Sequence, residues 1–325
     1  MRIWQVTHYG EPEEMIMAEM QPPTPQAGQV RIRNRACGLN FFDLLQCQGK
    51  YQSRPGFPFT IGAEVAGTID AVGEGVRGAA IGQRVASLPR GGGFAECTLV
   101  DESRAYAIPD SMSFEQAAAM PVVYQTSLFA LERRAKLQPG EWLLVHAGAS
   151  GVGTAAIQLG KAMGAQVIAT AGSDEKLEFC KSQGADHVLS YTDSNWVDGV
   201  KAIAGRFGAD VIYDPVGGDI FDLSTKVIAP GGRLLVVGFA SGRIPTLAAN
   251  RALLKNMSLV GVFWGRHCDE NPGYMQSLHE RLVGMFNAGT INPPVGAKYP
   301  FDAAPQGIRD LADRKVRGKA ILTID

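Results

Sequence analysis

The residues best placed to do chemistry lie in Gly148-Ala149-Ser150-Gly151-Val152-Gly153, a glycine turn of GxxGxG spacing. Without side chains, Gly151 and Gly153 let an anionic group come close to the backbone. A helix starting here would add free N–H groups and the positive end of its dipole, together a pyrophosphate site that would take in Ser150 and Val152 as well. The same glycines would equally serve a plain tight turn, so the neighbouring elements decide. Further along, Thr170-Ala171-Gly172-Ser173 follows an apolar run with no acid at its tip, and Asp174, Glu175 and Lys176 come just after. An acid at that tip would hold the ribose hydroxyls of NAD. Small residues, a hydroxyl and the Lys176 cation suit a 2′-phosphate instead, which points to NADPH. Ser173 or Asp174 would also cap an ordinary helix there, and the two roles are compatible.

The elements around the turn support the dinucleotide reading. Trp142 to Val145 is a short apolar run suited to a buried parallel strand. Ala155, Ala156, Leu159 and Ala162 give the following helix one buried face, and Ala165 to Ala169 supplies a second strand. That is a βαβ unit. Strands are expected at 142–146, 165–170, 187–189, 210–213, 233–238 and 258–262, and helices at 152–163, 174–182, 195–205 and 219–227. Alternation of this kind predicts a doubly wound parallel sheet, whose ligands sit at the C-terminal ends of the strands.

Residues 1–118 have a different rhythm. Short β segments at Met1 to Val6, Val30 to Ala36, Val65 to Val72, Arg84 to Leu88 and Ala95 to Val100 are punctuated by Gly and Pro, as in a small irregular barrel. Cys37 to Leu45 reads as a loop entering a short helix, with Asp43 as a cap. Ser113 caps a helix ending at Pro121, and a second helical run covers Tyr124 to Ala135. After 257 the character is mixed again: a helix over Gln276 to Asn287, another near Pro305 to Arg314, and a last strand at Ala320 to Ile324.

Composition excludes several classes. The chain has 325 residues, 31 basic against 32 acidic, for a formal net charge of -1. That balance gives no reason to expect nucleic acid or an anionic membrane as partner. No apolar run reaches membrane-spanning length and the N-terminus has no apolar signal core. The five cysteines are scattered, with no CxxC pair. Neither a zinc ribbon nor a disulfide framework is indicated, and a reducing, cytoplasmic setting fits.

Taken together, several motifs resemble the medium-chain dehydrogenase/reductase superfamily, in its zinc-free quinone oxidoreductase and ζ-crystallin branch. They are Asn40-Phe41-Phe42-Asp43, Gly49-Lys50-Tyr51, Ile61 to Gly67, His146 to Gly153 and Arg317-Gly318-Lys319. The likeness covers essentially the whole chain. It implies an α/β protein: a GroES-like β-rich catalytic domain formed by residues 1–118 and 258–325, with a Rossmann domain, 119–257, inserted. It also implies a cofactor cleft between the domains and a homodimer formed through the Rossmann domains.

The resemblance assigns residues too. Zinc-dependent members carry a cysteine ligand where Asn40 stands, a Gly-His-Glu run where Gly62-Ala63-Glu64 stands, and a third ligand near Val122 or Val123. Two of these positions hold non-ligands, and catalytic zinc takes three protein ligands, so no zinc is expected and Glu64 reads as a polar-network residue. Asn40 is expected at the nicotinamide or its ribose, and so is Thr126. Tyr51 is expected to act as proton donor, or else to pack in the loop as a plain aromatic. Ser150, Gly151, Val152 and Gly153 belong to the pyrophosphate; Gly172, Ser173, Lys176 and Tyr191 to the 2′-phosphate. Phe239 and Phe263-Trp264-Gly265 would flank the nicotinamide, and Lys319 would close the cofactor cleft.

With no zinc, hydride must go to an acceptor needing little Lewis-acid help. An NADPH-dependent quinone reductase is the leading expectation. Reduction of an enoyl or enone double bond is the alternative within enzymes. A structural or RNA-binding protein that holds NADPH without turnover is the alternative of another class. Phe41, Phe42, Phe57, Phe263 and Trp264 suit the mouth of a pocket for a planar acceptor, and equally an ordinary core.

Overall fold

A computed structural model describes all 325 residues. It divides into two compact units: Met1–Val122 with His279–Val283 and Pro293–Asp325, and Val123–Leu278 with Gly284–Asn292. No helix is long and apolar enough to cross a membrane.

The second unit is built on six parallel strands. In chain order they are β1 (Trp142–Val145), β2 (Gln166–Ala171), β3 (His187–Ser190), β4 (Ala209–Asp214), β5 (Ile228–Val236) and β6 (Ser258–Gly261). Their order across the sheet is β3-β2-β1-β4-β5-β6, every pairing parallel. The order reverses between β1 and β4, and dinucleotides bind at such a switch point in this fold. Central strands buried on both faces need continuous apolar runs, and Leu143, Leu144, Val145, Val211 and Ile212 are fully buried. Leu144, Ile168, Trp196, Ile212, Phe221 and Leu234 join one apolar cluster. Helices follow the strands at Gly151–Ala162, Asp174–Ser182, Trp196–Ala204 and Gly218–Val227. The expected domain boundary at 258 is corrected here. Ser258–Gly261 hydrogen-bonds to β5 and is the sixth strand of the Rossmann sheet, so the second unit runs on well past 257.

The first unit holds a seven-stranded mainly antiparallel sheet with a small hairpin, Arg2–Gln5 on Ile16–Glu19. Its spine is the eleven-residue strand Gln29–Leu39. One edge of the spine pairs with Val65–Val72. The other edge pairs first with Cys97–Asp101 and then, near its end, with Lys319–Thr323. Alternation along the spine buries Val30, Ile32 and Ala36 completely, and from Ala36 to Leu39 every residue is buried. Three segments with no element expected are short strands, Ile16–Glu19, Ala105–Ala107 and Val295–Pro300. Each takes its place by pairing with a neighbour rather than by an apolar pattern of its own. Pro121 starts the helix Pro121–Leu128 instead of ending the one before, as suits a residue with no N–H to donate.

Candidate functional site

In the first unit, strand register brings three distant residues together. Ala320 pairs with Leu39, so Lys319 faces Asn40 one step beyond. Val65 pairs with Cys37, and the Gly38 N–H donates to the Glu64 carbonyl at 3.1 Å. Asn40, Glu64 and Lys319 therefore meet at three strand ends. The Lys319 Nζ donates to Asn40 Oδ1 at 2.5 Å and forms an ion pair with Glu64. The Asn40 Nδ2 donates to Glu64 Oε1 at 2.8 Å, and the Val122 N–H donates to Oε2 at 2.8 Å. Glu64 is 0%, Lys319 4% and Asn40 7% exposed, so this is a desolvated charge pair with every carboxylate oxygen bonded. Buried ion pairs persist only with such complete bonding. Gly38 has no side chain for a local reason: a Cβ there would lie 2.3 Å from Glu64 Oε1.

Asn40 caps the helix Phe41–Cys47, and its N–H donates to Asp43 Oδ2 at 2.7 Å. Asp43 is fully buried and its Oδ1 has no hydrogen-bond partner. Burial pushes its carboxyl up to about 7, against the opposing pull of the Asn40 amide and the Lys319 charge. Tyr51 is half-buried and stacks on Phe42, ring centroids 5.4 Å apart. Burial, and secondarily the Asp43 charge, raise its phenol, so it stays protonated across the physiological range. Burial likewise raises the thiols of Cys37 and Cys47, the latter to about 12. Neither is a reactive thiolate.

In the second unit, the glycine turn lies at the switch point after β1. Ser150 caps the twelve-residue helix Gly151–Ala162. Its hydroxyl accepts from the Gly153 N–H at 3.1 Å and donates to the Ala147 carbonyl at 2.7 Å, while the Thr154 N–H goes to the Ser150 carbonyl. The first N–H groups of a helix have no partner within it, which leaves those of Gly151 and Val152 for a ligand. Gly153 is required by packing, since a Cβ there would fall 2.2 Å from the Ala147 carbonyl oxygen.

Two buried groups missed at the sequence level fix these strand ends. His146 bridges Thr170 Oγ1 (Nδ1, 2.9 Å) and Ser224 Oγ (Nε2, 2.8 Å). Burial lowers its imidazole to about 3, so it is neutral. Because Ser224 donates its own hydroxyl hydrogen to Ile220, Nε2–H is assigned as the donor of the pair. Asp214, at the end of β4, accepts from the Val216 and Gly217 N–H groups at 2.8 and 2.9 Å and shapes the loop that follows β4. An apolar run ending in His or Asp carries no mark that the polar residue will turn inward. The bracing serine and threonine lie far off in sequence.

The remaining expected residues divide by place. Thr126 is half-buried on the helix Pro121–Leu128, whose Ser127 bonds Val152 O at 3.2 Å and Tyr213 Oη at 2.9 Å. Gly172, Ser173, Lys176 and Tyr191 gather at the ends of β2 and β3. The Tyr191 ring lies 3.2 Å from where a Gly172 Cβ would stand, and its N–H donates to Ala171 O. Ser173 is exposed and Lys176 half-buried at the start of the helix Asp174–Ser182. Phe239, in the loop after β5, lies 3.0 Å from where a Gly217 Cβ would stand and so packs against the loop after β4. Phe263 is 61% exposed, and Trp264 and Gly265 begin the helix Trp264–Glu270. Lys319 is buried at the start of the last strand, its ammonium bonded to Asn40 and paired with Glu64.

Comparison with known proteins gives one picture. Residues 26–110 match the family described as alcohol dehydrogenase GroES-like domain, and residues 151–280 that described as zinc-binding dehydrogenase. Quinone oxidoreductase-like protein 2 of Bos taurus is 38% identical over 95% of this chain and 89% of its own. The Escherichia coli quinone oxidoreductase complexed with NADPH superposes with a TM-score of 0.92 at 27% identity, over 100% of both chains. The CurK enoyl reductase gives 0.90 at 28% identity, over 100% of this chain and 99% of its own.

Proposed function

As the chain belongs to the medium-chain dehydrogenase/reductase superfamily, among the quinone oxidoreductases and their relatives, we propose that this oxidoreductase reduces quinones with NADPH. The observation that carries the reading is the cradle at the switch point: a helix N-terminus with two free amides, entered through a glycine turn that Ser150 locks. When bound, NADPH supplies hydride from its nicotinamide.

The chain's own residues do the rest. Gly151 and Val152 donate N–H groups to the pyrophosphate, with Ser150 and Gly153 holding the turn. Ser173, Lys176 and Tyr191, beside the bare backbone of Gly172, take the 2′-phosphate. Lys176 is the cation among them, which offsets the acidic first turn of Asp174 and Glu175. Thr126, Asn40, Phe239 and the Phe263 to Gly265 segment serve the nicotinamide end. Asn40 is oriented by its two side-chain bonds, one to Lys319 and one to Glu64. Tyr51 holds a proton for the acceptor oxygen.

Zinc does not fit the residues present. The ligand positions of zinc-dependent relatives carry Asn40, Ala63 and Val122 or Val123, and both Glu64 oxygens are already bonded. Metal analysis of purified protein tests this, and one equivalent of zinc would refute it.

A second copy of this chain is the proposed partner. The edge strand Ser258–Gly261 is open on one side, and Leu253 and Leu254 beside it in sequence are 76% and 78% exposed. Open edges of this kind are paired or covered in native proteins. A monomer by sedimentation at micromolar concentration would refute the pairing.

The test of the activity is NADPH oxidation against panels of quinones and enones, with NADH as control. Turnover with quinones supports the proposal. Turnover with enones alone replaces it with double-bond reduction, a reading favoured by the protonated Tyr51. Tyr51→Phe would then lose activity. NADPH binding with no turnover would point to a non-enzymatic role.

A further inference from the structure

The polar cluster of the first unit contains one more acid than its charges can hold. Two carboxyls, Asp43 and Glu64, are wholly buried, and one ammonium, Lys319, lies with them. With both carboxyls ionised the cluster carries a net negative charge out of water, which is the costly arrangement. The bonding decides which acid gives way. Glu64 receives Asn40 Nδ2, Lys319 Nζ and the Val122 N–H. Asp43 receives the Asn40 N–H on Oδ2, a smaller contribution from the Gly62 amide, and nothing on Oδ1. We propose that the cluster holds one shared proton, that it resides on Asp43, and that Asp43 is a positioning residue setting the charge around Asn40 and Tyr51.

The surroundings agree. The groups facing Asp43 are Lys319 on the last strand, Glu64 at the head of Val65–Val72, Cys37 on the spine, Cys47 on its own helix and Tyr51 in the following loop. Only Lys319 favours ionisation. Burial is the largest influence and places the change near neutrality, at about 7. Once Asp43 ionises, its charge tightens the hold of Tyr51 on its phenolic proton. A proton donor in a reduction then becomes weaker as pH rises through that range.

The proton count does not depend on what the enzyme reduces; the effect on rate rests on the proposed quinone reduction. Infrared difference spectra of the folded full-length protein across neutral pH read the proton directly. The expected result is a protonated-carboxyl band that disappears as pH rises through about 7, that shifts when aspartate side chains carry 13C, and that is lost in Asp43→Asn. Asp214→Asn serves as control, since Asp214 is the other buried aspartate whose carboxyl burial pushes up. A band that persists in Asp43→Asn, or shifts only on glutamate labelling, overturns the proposal. So does the absence of any carboxyl band titrating above about pH 5, the edge of the ordinary carboxylate range. Should Asp43→Asn fail to fold, the labelled wild-type and Asp214→Asn spectra still decide. Steady-state pH profiles separate the two claims. Loss of the neutral limb of kcat in Asp43→Asn links the proton to turnover. An unchanged limb alongside a lost infrared band refutes the positioning role while leaving quinone reduction intact.

Discussion

Replacing Lys319 by Met tests the buried cluster directly. Met keeps the length and apolar stem of Lys and removes only the ammonium, which is bonded to Asn40 and Glu64. Glu64, 0% exposed, would then be a buried carboxylate with two neutral donors, a loss of roughly 3–5 kcal/mol. Protonation limits the damage. An unfolded glutamate titrates at about 4.3, so keeping it protonated at pH 7 costs about 4 kcal/mol, against about 1 kcal/mol at pH 5, taking about 1.4 kcal/mol per pH unit. The penalty is the smaller of the two costs, so it should be near 4 kcal/mol at neutral pH and shrink as the solution is acidified. In Glu64→Gln/Lys319→Met the charge is gone and most of the loss should be recovered, with no such pH dependence. Urea unfolding at several pH values measures it. Hydrogen exchange in Gln29–Leu39 and Lys319–Thr323 would report the first unit separately from the second. A Lys319→Met loss below about 1 kcal/mol at pH 7, the size of an exposed pair, would refute the argument. So would a loss that does not change with pH.

Other expectations follow from single sites. His146 titrates at about 3 when folded and about 6.5 when unfolded, so the unfolded chain binds more protons between those values and stability rises with pH up to about 6.5, then levels off. Its share of stability should be about 2 kcal/mol lower at pH 5 than at pH 8. Asp43, raised instead of lowered, works in the opposite sense, so the readout is the difference in slope between wild type and His146→Asn; equal slopes would sink it. Gly38→Ala places a Cβ against Glu64 Oε1 and should cost roughly 1–3 kcal/mol by overpacking, seen in urea unfolding; a neutral result would show that the carboxylate can move aside. Lys176→Ala should reduce the NADPH preference over NADH by roughly 1.5–3 kcal/mol, the worth of one charge-assisted bond; an unchanged ratio of dissociation constants would remove Lys176 from the 2′-phosphate site.

The second unit was the more legible in sequence because its signals are local. A strand, a glycine turn and a helix follow one another within a single βαβ unit, and the helix Asp174–Ser182 has the expected bounds although the Ser173 hydroxyl makes no capping bond. The strand order was not readable residue by residue, yet alternation of strands and helices left few topologies open. The short edge strand Ser258–Gly261 is expected as a strand of the parallel sheet, yet the expected boundary at 258 cuts it from that unit, because nothing within its four residues marks where the unit ends. His146 shows the other limit, since its partners Thr170 and Ser224 lie 24 and 78 residues away in the chain.

In the first unit the resemblance singles out Asn40, Glu64 and Lys319 one by one, and nothing local shows that they meet. Asn40 follows the spine strand, Glu64 precedes Val65–Val72 and Lys319 opens the last strand, and no spacing rule joins positions 40, 64 and 319. Register joins them: the spine strand exposes two edges near Gly38, one taken by Val65–Val72 and the other by Lys319–Thr323. A one-residue slip of the last strand would turn Lys319 to the opposite face and leave Glu64 without its cation. The ion pair therefore acts on register as well as on charge, since only the native pairing of Ala320 with Leu39 brings the ammonium to the carboxylate. Ala320, Ile321 and Leu322 are all fully buried, so apolar alternation alone separates the two registers of this strand weakly. The buried charge supplies the discrimination that the apolar pattern lacks, which is a reason for the fold to keep a costly pair where a hydrophobic one would pack.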